Sequence, residues 1–299
     1  MSGQLRDKVA IVTGSGHGIG RSLVLAMAKE GAKIVTNDIK SERAEKVAKE
    51  IFEMGGTAIP FTCDIANFKA TRNLIQKALD EFGRMDILVN NAGIDRPHMI
   101  WKMTEEEWDI VIATHLKGTY NCTHHASIFM REQKWGRILN VTSSARLGMS
   151  GDAAYSAAKA GIIGLTRTVA LDMGRYGVTC NCFSPTADTT AGGMTDLATL
   201  TASLERQYQM GLVTEKEYRK LMNMPNSDVI PPLPIYLCTD EAAAINGQVF
   251  GIYGNSIAIY EEGVEKRTIW KKGDLWTVEE LKEYVPSILM EGIPKIQSM

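Results

Sequence analysis

The sequence predicts an α/β protein built on a doubly wound parallel sheet of about seven strands, with helices on both faces. Three observations carry this prediction. Short β-branched runs alternate with longer helical stretches, the runs are almost continuously apolar, and a glycine-rich loop closes the first run and opens the first helix.

In chain order, "KVAIVT" (8–13) and "KIVTN" (33–37) are the first two predicted strands, with a helix near 18–30 between them. A helix near 41–54 leads to "TAIPFT" (57–62), and one near 67–82 leads to "DILVN" (86–90). The long helical stretch 105–130 opens on a capping box, Thr104 with Glu107 in "TEEEW", and precedes the strand "GRILNV" (136–141). A helix at 153–174 precedes "VTCNCF" (178–183), and one near 229–239 precedes "QVFGIY" (248–253). The rhythm breaks between these last two strands. Residues 187–228 carry helical periodicity in "LERQY" and "EKEYRKLM" but no strand signal, and are expected to be a helical or lid-like insertion at the carboxyl edge of the sheet. The tail, 254–299, carries a second capping box, Thr277 with Glu280, and reads as a C-terminal extension of a single domain.

Composition narrows the function classes. A net charge of −2 without a long basic run gives no basis for a nucleic-acid or membrane partner. The start, "MSGQLRDKVAIVTG", lacks a secretory signal's apolar stretch and cleavage site, so a cytoplasmic protein is expected. The five cysteines are an odd number and widely spread, and Cys180 and Cys182 form only a C-x-C inside a strand. Buried free thiols are expected, and no metal site.

The chemistry concentrates in three places. In "VTGSGHGIG" (12–20), Gly14, Gly18 and Gly20 allow a tight turn, close backbone approach and close helix packing, while the helix N-terminus offers free N–H groups to a pyrophosphate. Asp38 ends the second strand 18 residues after Gly20, where a carboxylate accepts hydrogen bonds from an adenosine ribose and repels a 2′-phosphate. His17, rather than a cation of fixed charge, sits in the loop, so NAD is expected over NADP, with Lys40 and Arg43 nearby as the counter-argument. In "AYSAAKAG" (153–160), Tyr155 and Lys159 stand four apart, on one helix face.

In order, "TGSGHGIG", "CDIA" (63–66), "NNAG" (90–93), "NVTSS" (140–144) and Y-x-x-x-K at Tyr155 and Lys159 resemble the short-chain dehydrogenase/reductase family over roughly residues 5–255. The resemblance implies a Rossmann-like fold, a homo-oligomer (dimer or tetramer) built through the long helices, and hydride exchange between NAD and a small-molecule secondary alcohol or ketone. It implies that Ser15, His17, Gly18 and Ile19 of the glycine loop hold the cofactor with Gly14. Asp64 and Ile65 would contact the adenine, Asn91, Ala92 and Gly93 would line the cofactor, and Pro185 and Thr189 match the loop beyond the sixth strand. Ser143 would orient the substrate oxygen, Tyr155 would be the general acid or base, and Lys159 would bind the nicotinamide ribose and lower the tyrosine's pKa. Bringing a phenol from near 10 to about 7 requires about 4 kcal/mol, which an ammonium about 4 Å away supplies at an effective dielectric of about 20.

Three points stay open at this stage. Counting from the strand favours Ser143 as the substrate hydroxyl, whereas counting back from Tyr155 favours Thr142. His115 stands where the family usually has a relay asparagine, and is either a water-holding or titrating relay group or an inert packed imidazole. Thr186 replaces the glycine that usually follows the proline, which gives the loop over the nicotinamide a different shape. His124 and His125 read as structural, and Arg96 and His98 as a solvated pocket rim that could also meet an anionic substrate. The tail resembles members related to the 3-hydroxyacyl-CoA dehydrogenase part of multifunctional enzymes, making a 3-hydroxyacyl-CoA the preferred substrate over a cyclic alcohol or steroid. The competing reading is a catalytically silent subunit that binds cofactor or an active partner.

Overall fold

The computed structural model describes residues 3–187, 205, 208–209, 214–222, 224–261, 263, 265, 267–271 and 275–292. These form two compact units, Met1–Tyr260 and Glu261–Met299. The first holds an eight-stranded sheet of order β3-β2-β1-β4-β5-β6-β7-β8. Its strands are β1 (Val9–Val12), β2 (Lys33–Asp38), β3 (Thr57–Thr62), β4 (Ile87–Asn90), β5 (Gly136–Val141), β6 (Val178–Thr186), β7 (Val249–Tyr253) and β8 (Ser256–Tyr260). The first seven are parallel to their neighbours and are the seven read from the sequence; β8 pairs antiparallel with β7, Tyr253 opposite Ser256. Its five residues are all exposed, as befits an edge strand.

Successive residues of the central strands feed opposite cores, as a period of two requires. Ala10 and Val12 of β1 join Ile87 and Val89 of β4 on one face, where Leu23 and Met27 of α1 (Gly18–Lys29) and Val47 and Ile51 of α2 (Ser41–Glu53) cover them. Val9, Ile11 and Leu88 join the other face, under Leu74 and Ala78 of α3 (Phe68–Phe82), Ala126 of α5 (Gly118–Gln133) and Ala170 of α6 (Ala153–Gly174). Each such large apolar side chain contributes about 1.5–3 kcal/mol of burial. The two layers of helices are thus a consequence of near-continuous apolar strands.

Local signals set the boundaries. Asn67 caps α3, its Oδ1 accepting from the N–H groups of Lys69 and Ala70 at 3.0 Å each, and Gly83 ends it with φ +74°. Thr104 and Glu107 make the expected capping box of α4 (Glu105–Ile112). The helix expected over 105–130 is not regular: a π turn, Ala113–Lys117, separates α4 from α5 and carries His115 inward. Beyond Ala187 most of the expected insertion lies outside the described residues. Glu215–Met222 is helical (α7), and the Tyr218 ring stacks on Tyr208 at 4.6 Å. Helix α8 (Pro232–Leu237) follows.

The second unit, taken by itself, carries α9 (Val278–Tyr284) with the Thr277–Glu280 capping box, Lys271 paired to Glu280 at 2.7 Å, and Trp276 edge-on to Tyr284 at 5.5 Å. Among the described residues no helix is long and apolar enough to cross a membrane, and no group of residues has the makings of a metal site. All five cysteines are free thiols.

One buried carboxylate ties two segments together. Asp86 accepts from the Val9 N–H at 2.8 Å and from Arg84 Nε and Nη2 at 2.7 and 2.8 Å. Asp86→Ala strands these donors, so it is expected to lower stability by about 2–3 kcal/mol, read as a reduced urea midpoint at unchanged m-value.

Candidate active site

The chain leaves β1 toward β2 and β3 on one side and returns to β4 on the other, so the carboxyl ends of β1 and β4 diverge and open a crevice. A cleft of about 820 Å³ lies there. The glycine loop forms one wall. Gly14, at φ +63°, brings its backbone so close to the β4 loop that a Cβ would lie 2.8 Å from Ala92 Cα. A Cβ on Gly20 would lie 2.3 Å from the Gly14 carbonyl oxygen, which is how α1 seats its N-terminus against the loop. Gly16, not singled out from the sequence, leaves room for Asp38: a Cβ there would meet Asp38 Oδ2 at 2.5 Å.

Gly14, His17, Gly18, Ile19, Asp38, Asp64 and Ile65 line the cleft, as do Asn91, Ala92 and Gly93 opposite and Pro185 at its far end. Ser15 is set apart from the other described candidates. It is fully buried, its N–H donating to Asn37 O at 2.7 Å and its Oγ accepting from Asn37 N–H at 2.9 Å, so it braces the loop against β2 instead of facing the cleft. Thr189 lies outside the described residues. Asp38, almost wholly buried, accepts from the Lys40 N–H at 3.0 Å, with Lys40 and Arg43 on the same rim. Burial lowers the pKa of His17, Asp38 working against the shift and Arg43 with it. Thr186 extends β6, pairing with Tyr253, so the departure from glycine there continues the strand.

At the cleft floor β5 ends and α6 begins. The Ser143 hydroxyl accepts from the Ala145 N–H at 3.2 Å and lies close enough to the Tyr155 phenol to lower its pKa. Thr142 points elsewhere: its hydroxyl donates to Lys159 O at 2.9 Å and is buried. The structure therefore brings Ser143, and not Thr142, to the tyrosine. Lys159 lies a turn further along α6, its Nζ donating to Val141 O at 2.7 Å and standing 5.4 Å from the Tyr155 ring centre.

The electrostatics differ from the sequence expectation. Burial pushes the Tyr155 phenol up to about 12, with Ser143 pulling it down and Asp95 and Asp152 adding to the rise. Burial likewise pushes the Lys159 ammonium down to about 7. Desolvation disfavours both charged forms, so in this cleft the lysine by itself does not create a phenolate at neutral pH.

His115 packs edge-on to Tyr155, ring centres 5.1 Å apart. Its Nε2 lies 2.6 Å from the Ile94 carbonyl, and with the proton assigned to Nε2 the buried Nδ1 is an acceptor without a partner. Gly93 permits this, since a Cβ there would lie 2.3 Å from His115 Cε1. Burial first, and then the Lys159 charge, hold the imidazole pKa down to about 3, so His115 is neutral and does not titrate near neutral pH. Of the readings left open, the titrating one does not match this environment.

Away from the floor, Arg96 lines the cleft from the rim and His98 pairs with Glu107 at 3.0 Å. His125 Nε2 bonds Phe68 O at 2.9 Å, and His124 packs on the Phe68 ring, 5.2 Å between centres, as structural residues do. Sequence reasoning missed Asn37, which pins the glycine loop, and Asp95 and Asp152, which carry negative charge to Tyr155. A polar residue closing β2 beside Asp38 was a usable signal for the first; nothing in the sequence joins the other two, 57 positions apart.

A family model described as short chain dehydrogenase matches residues 8–199. The chain is 36% identical over 250 residues to the (2S)-[(R)-hydroxy(phenyl)methyl]succinyl-CoA dehydrogenase subunit BbsD of Thauera aromatica, covering 84% of this chain and 96% of that one. It is 34% identical over 291 residues to the hydroxyacyl-CoA dehydrogenase ChsB1 of Mycobacterium tuberculosis, covering 93% and 87%. A crystal structure of a short chain dehydrogenase from Mycobacterium avium superposes with a TM-score of 0.83 at 36% identity, covering 98% of both chains.

Two measurements check the site. The His115 imidazole NMR signals are expected not to titrate between about pH 5 and about pH 8. A lysine whose pKa is lower folded than unfolded destabilises the fold fully below about pH 7, and the cost fades as pH rises toward its ordinary value of 10.5. Lys159→Met is accordingly expected to match or exceed wild-type stability at about pH 6 and to lose ground to wild type by about pH 10, followed by denaturant unfolding.

Proposed function

The chain belongs to the short-chain dehydrogenase family, and from that premise we propose that it uses NAD to interconvert a 3-hydroxyacyl-CoA and its 3-oxo form. The coarser activity is that of an oxidoreductase acting on a CH–OH group of a small-molecule substrate with a nicotinamide dinucleotide. The cleft fits such a cofactor: the glycine wall leaves space that a side chain at Gly14, Gly16 or Gly20 would fill, and the unpaired N–H groups of the α1 N-terminus suit a pyrophosphate. When bound, the nicotinamide supplies or accepts the hydride.

The observation that carries the assignment of roles is the Ser143 hydroxyl beside the Tyr155 phenol and a buried Lys159, in one cleft with Asp38. Ser143 orients the substrate oxygen, and Tyr155, held as a phenol by burial, gives a proton to that oxygen in ketone reduction and takes it back in alcohol oxidation. Lys159 holds the cofactor's ribose and His115 Nδ1 accepts a hydrogen bond in the path from Lys159 to solvent. Asp64, Ile65, Asn91, Ala92, Gly93 and Pro185 hold the remaining cofactor surface. Support for the acyl-CoA class comes from the named activities of BbsD and ChsB1. The Asp38 carboxylate supports NAD, since it accepts from ribose hydroxyls and repels a phosphate in their place. Trp108, Ile110, Tyr120 and Ile128, exposed on α4 and α5, support a homodimer or homotetramer built through these helices and α6.

Tyr155→Phe is expected to keep NAD binding and lose about 10²–10⁴-fold in kcat with 3-hydroxyacyl-CoA substrates, followed as reduced nicotinamide at about 340 nm. Wild type that binds NAD tightly yet turns over neither acyl-CoAs nor cyclic alcohols would favour the silent-subunit reading. Wild type is also expected to prefer NAD over NADP by about tenfold or more in kcat/KM, and Asp38→Ala to erase most of that preference.

A further inference from the structure

Two carboxyl groups that no sequence motif joins meet beside Tyr155. Asp95 follows β4 and lines the cleft; Asp152 immediately precedes α6. A parallel backbone bridge between His98 and Asp152 brings their two loops together. Asp152 sits at the N-cap of α6, where an aspartate ordinarily accepts from the first-turn N–H groups, yet its side chain makes no capping bond. Instead the two carboxyls act on each other. On each, Oδ1 is buried and no N–H or O–H of the described residues reaches it. Two buried acceptor atoms without a donor are costly, and one proton held by the pair supplies what both lack.

We propose that Asp95 and Asp152 share one proton, and that this pair acts as a positioning group that keeps Tyr155 in its proton-donating form. The proposal rests on the reading of Tyr155 as the acid/base group. Burial raises both carboxyls above the ordinary carboxylate range, and the charge of Asp95 raises Asp152 further. Their negative charge in turn opposes ionisation of the phenol. The other charged or titratable groups facing the pair leave this balance in place. Arg96 directs Nη1 to the Asp95 carbonyl at 2.6 Å, and its backbone N–H and then its charge draw Asp95 down, less than burial raises it. His98 is engaged with Glu107, His115 is neutral, and Lys159 is bonded to Val141 O. Ser156, whose N–H donates to Asp152 O at 2.8 Å, has a buried hydroxyl with no partner in the structure.

The first test does not need turnover. The full chain, labelled with ¹³C at aspartate carboxyls, is titrated by NMR from about pH 4 to about pH 9. One carboxyl is expected to titrate well above the ordinary range, and Asp95→Asn to bring Asp152 down toward that range, with burial still holding it above. If every aspartate titrates below about pH 5, no proton is shared and the proposal fails. The second test is the pH profile of kcat/KM for ketone reduction. Asp152→Asn, which removes one of the two carboxylates that raise the phenol's pKa, is expected to move the alkaline limb down by about one pH unit, since the phenol then ionises more readily. An unmoved profile with lowered kcat would assign the pair a structural role only and overturn its effect on Tyr155. Failure of all acyl-CoA substrates would sink the substrate reading, while the carboxyl titration still decides the pair.

Discussion

The site depends on the junction where the first and fourth strands part. Thr13 Oγ1 accepts the N–H groups of both Asn91 and Ala92, at 3.0 and 3.1 Å, and Asn91 Nδ2 donates back to Thr13 O at 2.9 Å. These bonds lock the glycine loop to the β4 loop at the point where the sheet must open. Without them the two loops would have only water to bond. With them the backbones approach so closely that Gly14 has no room for a side chain, and the wall of the cleft is fixed before any ligand arrives. A buried amide chain continues the lock: Asn90 donates to Asn140 at 2.8 Å and to Thr123 at 3.0 Å, and Asn140 donates to Thr166 at 2.9 Å. It joins β4, β5, α5 and α6, the four elements that carry the floor of the site.

The second constraint is desolvation. The floor is dry enough that tyrosine, lysine and histidine are each pushed toward their neutral forms. A neutral floor reconciles a polar constellation with a close-packed interior, because each head group then needs hydrogen bonds and not a counter-ion. Lysine finds Val141 O, histidine finds Ile94 O and tyrosine finds Ser143. The phenol and imidazole of the floor are therefore neutral, the lysine's charge is weakened, and negative charge reaches the floor from Asp95 and Asp152.

Much of this was legible beforehand. All seven parallel strands come from short, nearly continuous apolar runs, because a sheet covered on both faces needs apolar residues at most positions. Fifteen numbered cleft candidates lie where spacing and family likeness put them, since motifs such as Y-x-x-x-K fix relative position within one helix turn. The π turn was not legible: "IVIATHLKG" has ordinary helical periodicity, and the extra residue in the turn is set by how His115 packs against Gly93 and Tyr155. Ser15 was misplaced for a related reason, since a loop serine reads alike whether its hydroxyl faces a ligand or a neighbouring strand.

The sequence by itself determined the fold class, the family and the identity of the chemical groups, because these rest on periodicity and short-range spacing. The tertiary structure alone decided which of two adjacent hydroxyls meets Tyr155, that His115 stays neutral, and that Asp95 and Asp152 come together. Each of those outcomes depends on burial and on contacts between distant segments. Dielectric environment and through-space distance have no counterpart in the order of residues along a chain.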